Sequence, residues 1–187
     1  MNLIFVWAIT YAVPGIAAGS IIKLLPARSA GLSKRNIFIM HGALLISALA
    51  SQYAIYSLGF IFPWVPNEIS IYVFIASVFL ALAVVGSVGA WYGLSVLLQQ
   101  SAMLLMAYIL LPTFPVYLVI LLVVPIFIFC HTLQTGRWLI RGSLFVFWGI
   151  ISILLFSITH NIWLIAALHT LGGALLIKNQ ILYSEVV

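Results

Sequence analysis

Residues 69–111 read ISIYVFIASVFLALAVVGSVGAWYGLSVLLQQSAMLLMAYILL, more than forty residues without one charged side chain. A helix needs about 20 apolar residues to cross the hydrocarbon core of a bilayer, so this run is about twice one span. It has to break, and Gly86-Ser87-Val88-Gly89 is the place with the right residues for a turn. The division gives spans near 69–86 and 90–111, the second ended by Pro112 and Pro115.

The rest of the chain has the same character. Of its 187 residues, 66% are hydrophobic and 5% charged, and the mean hydropathy is +1.32. Soluble domains carry roughly 45–50% apolar and about 25% charged residues, so a soluble domain is excluded, as are disorder and coiled coil. The fold class expected is all-α: a polytopic helical membrane protein of about seven transmembrane helices. The other spans are expected near 2–22, 37–60, 116–133, 143–159 and 161–177. The first lacks the basic n-region of a cleaved leader and is read as a retained helix.

Charge parity supports the break at 86–89. With seven spans and the N-terminus outside, the inner segments are 23–36, 86–89, 134–142 and the C-terminal tail. All seven Lys and Arg residues (Lys23, Arg28, Lys34, Arg35, Arg137, Arg141 and Lys178) then lie on the cytoplasmic side. Without the break, Arg137, Arg141 and Lys178 would lie opposite the first linker. Trp64, Tyr72, Trp138 and Trp163, near span ends, read as interfacial anchors. The whole chain is expected to be one membrane domain: three helices over 1–89, four over 90–177, and a tail over 178–187.

Composition also limits the chemistry. There is no Asp, and the only acids are Glu68 and Glu185. Carboxylate dyads, aspartyl triads and carboxylate-bridged metal pairs are therefore excluded within this chain. The net charge of +5 comes from seven scattered bases, too few for a nucleic-acid-binding face. Cys130 cannot form an intramolecular disulfide and reads as a small apolar filler. Expected partners are the lipid bilayer and other integral membrane proteins.

In so apolar a chain the informative residues are polar groups placed mid-span, which are expected to face the bundle interior and meet one another. Gln99 and Gln100 lie in the middle of the fourth span, His131 near the inner end of the fifth, His169 midway along the seventh and His41 near the inner end of the second. Gln100 is ten residues from the inner end of its span, about 15 Å, and His169 is nine residues from Lys178, about 14 Å. Matching depths predict that they can meet, with His131 at the mouth of the same site. Read separately, each of these groups is also suited to plain helix-to-helix hydrogen bonding.

Three spaced segments carry a family resemblance over residues 90–177. Gln99-Gln100-x-x-x-Leu104, Phe127-x-x-x-His131 and His169-x-x-x-Gly173 lie on successive helices, and GIISILLFSITHNIWLIAALHTLGG (Gly149–Gly173) contains a Thr159-x-Asn161-x-Trp163 turn. These segments resemble the CAAX-protease and bacteriocin-processing (Abi) group of intramembrane proteases. The motifs there are Glu-Glu-x-x-x-Arg, Phe-x-x-x-His and His-x-x-x-Asn. The resemblance implies a peptidase scaffold in which glutamates activate water, while histidines and an asparagine polarise the carbonyl. Here amides replace both glutamates, Leu104 stands at the arginine position and Gly173 at the asparagine position. Glutamine cannot take up a proton near neutral pH, so the resemblance implies a degenerate member without its hydrolytic centre.

Two other readings remain open from the sequence. One is a peptidase working through His131 and His169, with or without a divalent metal. The other is a structural subunit holding haem or a pigment through His41, His131 or His169. VGSVGAWYGL and HTLGG also resemble the rhomboid GxSG and His-x-x-Gly-Gly segments, but Val88 stands at the nucleophile position and Ser87 is one residue away.

Overall fold

The computed structural model describes residues 68–132, 138–179 and 181, and scattered positions between 42 and 59; for 129–132 and 138–141 it describes the backbone alone. The expected first span, the basic linker 23–36, His41 and most of the expected second span lie outside the described residues. Those described fold into five helices: α1 (Glu68–Val85), α2 (Ser87–Leu110), α3 (Val116–Thr132), α4 (Trp138–Thr159) and α5 (Ile162–Lys178). No strand occurs among the described residues.

Three of these helices, α1, α2 and α4 from Gly142 onward, are long and apolar enough to cross a membrane; α3 (over 116–128) and α5 are shorter apolar helices. At about 1.5 Å per residue, the 24 residues of α2 extend about 36 Å, more than the roughly 30 Å of a hydrocarbon core.

The breaks fall at residues whose backbones demand them. The long apolar run turns at Gly86, whose φ of 70° and ψ of −157° belong to a region that side chains with a Cβ avoid. The turn folds α2 back along α1. Gly89 then lies so close to α1 that a Cβ there would run into the backbone carbonyl of Ala81. Pro112 and Pro115 bracket the α2–α3 connection, where the N–H groups of Thr113 and Phe114 both return to the Leu110 carbonyl. Pro125 lies inside α3, where its ring nitrogen has no N–H to offer the carbonyl four residues back.

The α4–α5 connection is a cap. Thr159 Oγ1 donates to the Leu155 carbonyl at 2.7 Å, and His160 takes the left-handed conformation with φ 49°. Asn161 then opens α5 by accepting the Leu164 N–H on Oδ1 at 3.1 Å. Lys178 ends α5, where a cation is favoured by the helix dipole.

Packing is organised around α2. α1 and α5 lie against it and against each other, while α3 and α4 pair on its other side. Of the 18-residue apolar window of α2, 72% is buried, against 22% for α1 and for α4. Every residue from Gln99 to Ala107 is buried, which at 3.6 residues per turn encloses the helix on all sides. One apolar cluster joins Met103, Leu104 and Met106 to Val123 and Phe127 of α3, Ile153 and Phe156 of α4 and Ile165 of α5. The other joins Phe74, Tyr92, Val96, Ala166 and Ile177. Ile69, Tyr72, Phe79 and Leu80 of α1 point outward, an apolar exterior suited to lipid. Trp163, near the start of α5, is also a packing residue. Its ring packs edge-on against Phe74 at 5.7 Å and joins the cluster between helices.

Candidate functional site

The polar residues of α2 would be costly to expose to lipid, and α2 is the helix the bundle encloses. Ser95 and Ser101 of α2, like Ser77 of α1, are satisfied locally, each donating to the carbonyl three residues back. Gln100 has a long-range partner. Its amide Nε2 donates to Nδ1 of His169 on α5 at 2.7 Å, across 69 residues of sequence. Gln100 is fully buried and His169 is 8% exposed.

The chemistry of this contact follows from the donor. An amide nitrogen only donates, so Nδ1 accepts and the imidazole proton resides on Nε2. The pair is an uncharged bond between two helices. A carboxylate at position 100 would reverse the roles, accepting from Nδ1–H and favouring an imidazolium.

Two aromatic rings lie against the imidazole. Trp148 of α4 lies with its ring centre 4.8 Å away at a 45° tilt, and Tyr92 of α2 meets it edge-on at 5.9 Å. Tyr92 also covers Gly173. A Cβ on Gly173 would overlap Cε1, Cζ and the hydroxyl of the tyrosine ring. The space that any side chain at 173 would need is thus filled from α2. One turn further up the same interface, a Cβ on Gly93 would come within 2.9 Å of Thr170 and of Val78.

The remaining residues singled out in the sequence occupy distinct places. Gln99 is buried beside Gln100 on α2. Leu104 is fully buried in the apolar cluster. Phe127 of α3 is buried against α4, 3.3 Å from where a Cβ on Gly149 would stand. His131 lies near the C-terminal end of α3, and its side chain, like that of His41, is outside the description. Among the described residues no three His, Cys, Asp or Glu side chains gather as a metal site would require.

Tyr92 and Trp148 escaped the sequence reading. Tyr92 had a signal, since with Val96 and Gln100 it forms an i, i+4, i+8 row on one face of α2. Trp148 had none, because its importance comes only from where α4 lies against α5.

Fold and site together define an all-helical protein with helices fit to cross a membrane and a neutral, buried histidine–amide pair at its centre. Comparison with family models, curated proteins and solved structures finds no match to this chain.

Proposed function

We propose that this chain is a multi-pass membrane protein of about seven spans that acts without catalysis, as a binding or scaffold subunit of a membrane complex. In this reading it is a degenerate relative of the CAAX-protease-like intramembrane peptidases, with segment 23–36 and the C-terminus on the cytoplasmic side and the N-terminus outside. Its partners are other integral membrane proteins, met through an apolar exterior within the bilayer.

The observation that carries the reading is the Gln100–His169 bond. Hydrolysis needs a group that can remove a proton from water, and the amide cannot. His169 uses the lone pair on Nδ1 to hold Gln100, which leaves the other ring nitrogen protonated and unable to serve as a base. The tyrosine ring over Gly173 supports the same conclusion, because it fills the place of the side chain that would complete the third motif. What persists is a polar contact that joins α2 to α5 and fixes their register, a use well attested for buried polar residues.

The test has two arms. Purified protein in nanodiscs is incubated with fluorogenic peptides, prenylated and transmembrane, beside His131→Ala and His169→Ala variants. No turnover above the variants is expected, and cleavage that depends on either histidine overturns the reading. In the second arm the native membrane is resolved by non-denaturing electrophoresis. The chain is expected to migrate in a larger assembly, and migration as a free monomer in mild detergent counts against a subunit role.

A further inference from the structure

Three polar atoms of α2 and α4 are buried and have no hydrogen-bond partner among the described residues: Gln100 Oε1, Trp148 Nε1 and Ser152 Oγ. Their placement is related. Oε1 belongs to the amide whose nitrogen touches His169, and Trp148 lies against the same ring. Ser152 follows Trp148 by four residues, one turn along the same face of α4.

Ser152 gives the sharpest indication. Serines inside apolar helices usually donate to a carbonyl of their own helix, and Ser157, one turn and a half further along α4, does so at 2.7 Å from Leu154. Ser152 is fully buried and forgoes that bond. Buried polar atoms without partners are few in native proteins; two on residues that touch one imidazole, and a third one helical turn along α4 from them, call for a shared partner.

The three atoms also specify what that partner is. Gln100 Oε1 accepts, Trp148 Nε1 donates, and Ser152 Oγ does either. None carries charge, and the adjacent imidazole is held neutral by the Gln100 amide. We propose that the interface of α2, α4 and α5 is a binding site for one small uncharged molecule with both a donor and an acceptor, held by Gln100, Trp148 and Ser152. A buried water makes about three hydrogen bonds, so water is the smallest guest that satisfies the set; a small alcohol or amide has the same chemistry. The inference rests on these three atoms and not on the absence of catalysis, so either can fail without the other.

A double-mutant cycle on the full chain tests it. Gln100→Met and Ser152→Ala act on different helices and share no direct bond, so a common guest is what can couple them. Each substitution is expected to lower the unfolding midpoint in mixed micelles, and the double variant to lower it by less than the two shifts combined. A rise in midpoint for Ser152→Ala, as expected for removal of an atom that truly lacks a partner, overturns the proposal, as does simple additivity. The guest is then distinguished with indole-15N-labelled protein, the Trp148 signal being assigned through Trp148→Phe. A cross-relaxation peak between Trp148 Nε1–H and solvent identifies water. No such peak, with a neutral small molecule released on denaturation and seen by mass analysis, identifies an organic guest. Neither result together overturns the site.

Discussion

Gly172 and Gly173 are neighbours on α5, and replacing each by alanine should have opposite effects on stability. A Cβ on Gly172 meets nothing within 4 Å, whereas a Cβ on Gly173 overlaps the Tyr92 ring. Both substitutions gain the same helix propensity, about 0.5–1 kcal/mol. That gain cancels between them, so the difference in their stabilities isolates the overlap. Tyr92 is 7% exposed and wedged between α2 and α5, so its ring cannot swing aside without disturbing packed neighbours. Overpacking of this kind costs about 1–3 kcal/mol. Gly172→Ala is therefore expected to be neutral or more stable, with Gly173→Ala about 1–3 kcal/mol below it. Reversible unfolding in mixed dodecyl-maltoside and SDS micelles, followed by tryptophan fluorescence, measures both. Adding Tyr92→Leu to Gly173→Ala should recover part of the loss, while Tyr92→Phe should not, because Cε1 and Cζ lie in the contested space along with the hydroxyl. Equal stability of the two alanine variants would refute the placement of Tyr92 over Gly173.

Three further outcomes are expected by the same unfolding assay. Gly86→Ala forces a Cβ into a backbone conformation reserved for glycine and should cost roughly 1–3 kcal/mol, although nothing crowds the site. Asn161→Ala removes the cap of α5 and should cost about 0.5–2 kcal/mol, while Asn161→Asp keeps the accepting oxygen and most of the stability. Gln100→Leu leaves Nδ1 of His169 without its donor and should cost about 1–3 kcal/mol; adding His169→Leu should return much of that, since two apolar groups replace a complete pair. A double variant as unstable as the sum of its parts would show that the bond is not what links the two positions.

What the sequence made legible was mostly local in origin. Gly86, the Pro112–Pro115 pair and Asn161 act on their own backbone, so the α1–α2, α2–α3 and α4–α5 breaks could be read from residue type. The apolar span read from 143 matches the membrane-crossing stretch Gly142–Thr159, while the helix itself begins earlier, at Trp138, and carries Arg141 in its first turn. Hydropathy reports which residues suit hydrocarbon, and the backbone can stay helical beyond that limit. The meeting of Gln100 with His169 was legible because burial cost drives mid-span polar groups together, and their depths matched. The rings of Tyr92 and Trp148 and the hydroxyl of Ser152 were not, since residue type alone does not say which faces of α2, α4 and α5 are opposed. Trp163 shows the same limit: its contact with Phe74 depends on how α1 and α5 face each other, which residue type does not tell.

The long sequence separation of the central pair has a consequence for biogenesis. Gln100 is synthesised 69 residues before its histidine, and at ribosomal rates of about 5–20 residues per second that is a delay of roughly 3–14 s. By the end of that interval α1, α3 and α4 have been made, but the amide of Gln100 still lacks the histidine that holds it. A nascent chain halted before its last hairpin would expose an orphan amide to lipid, a signal by which quality control can tell an unfinished copy from a finished one.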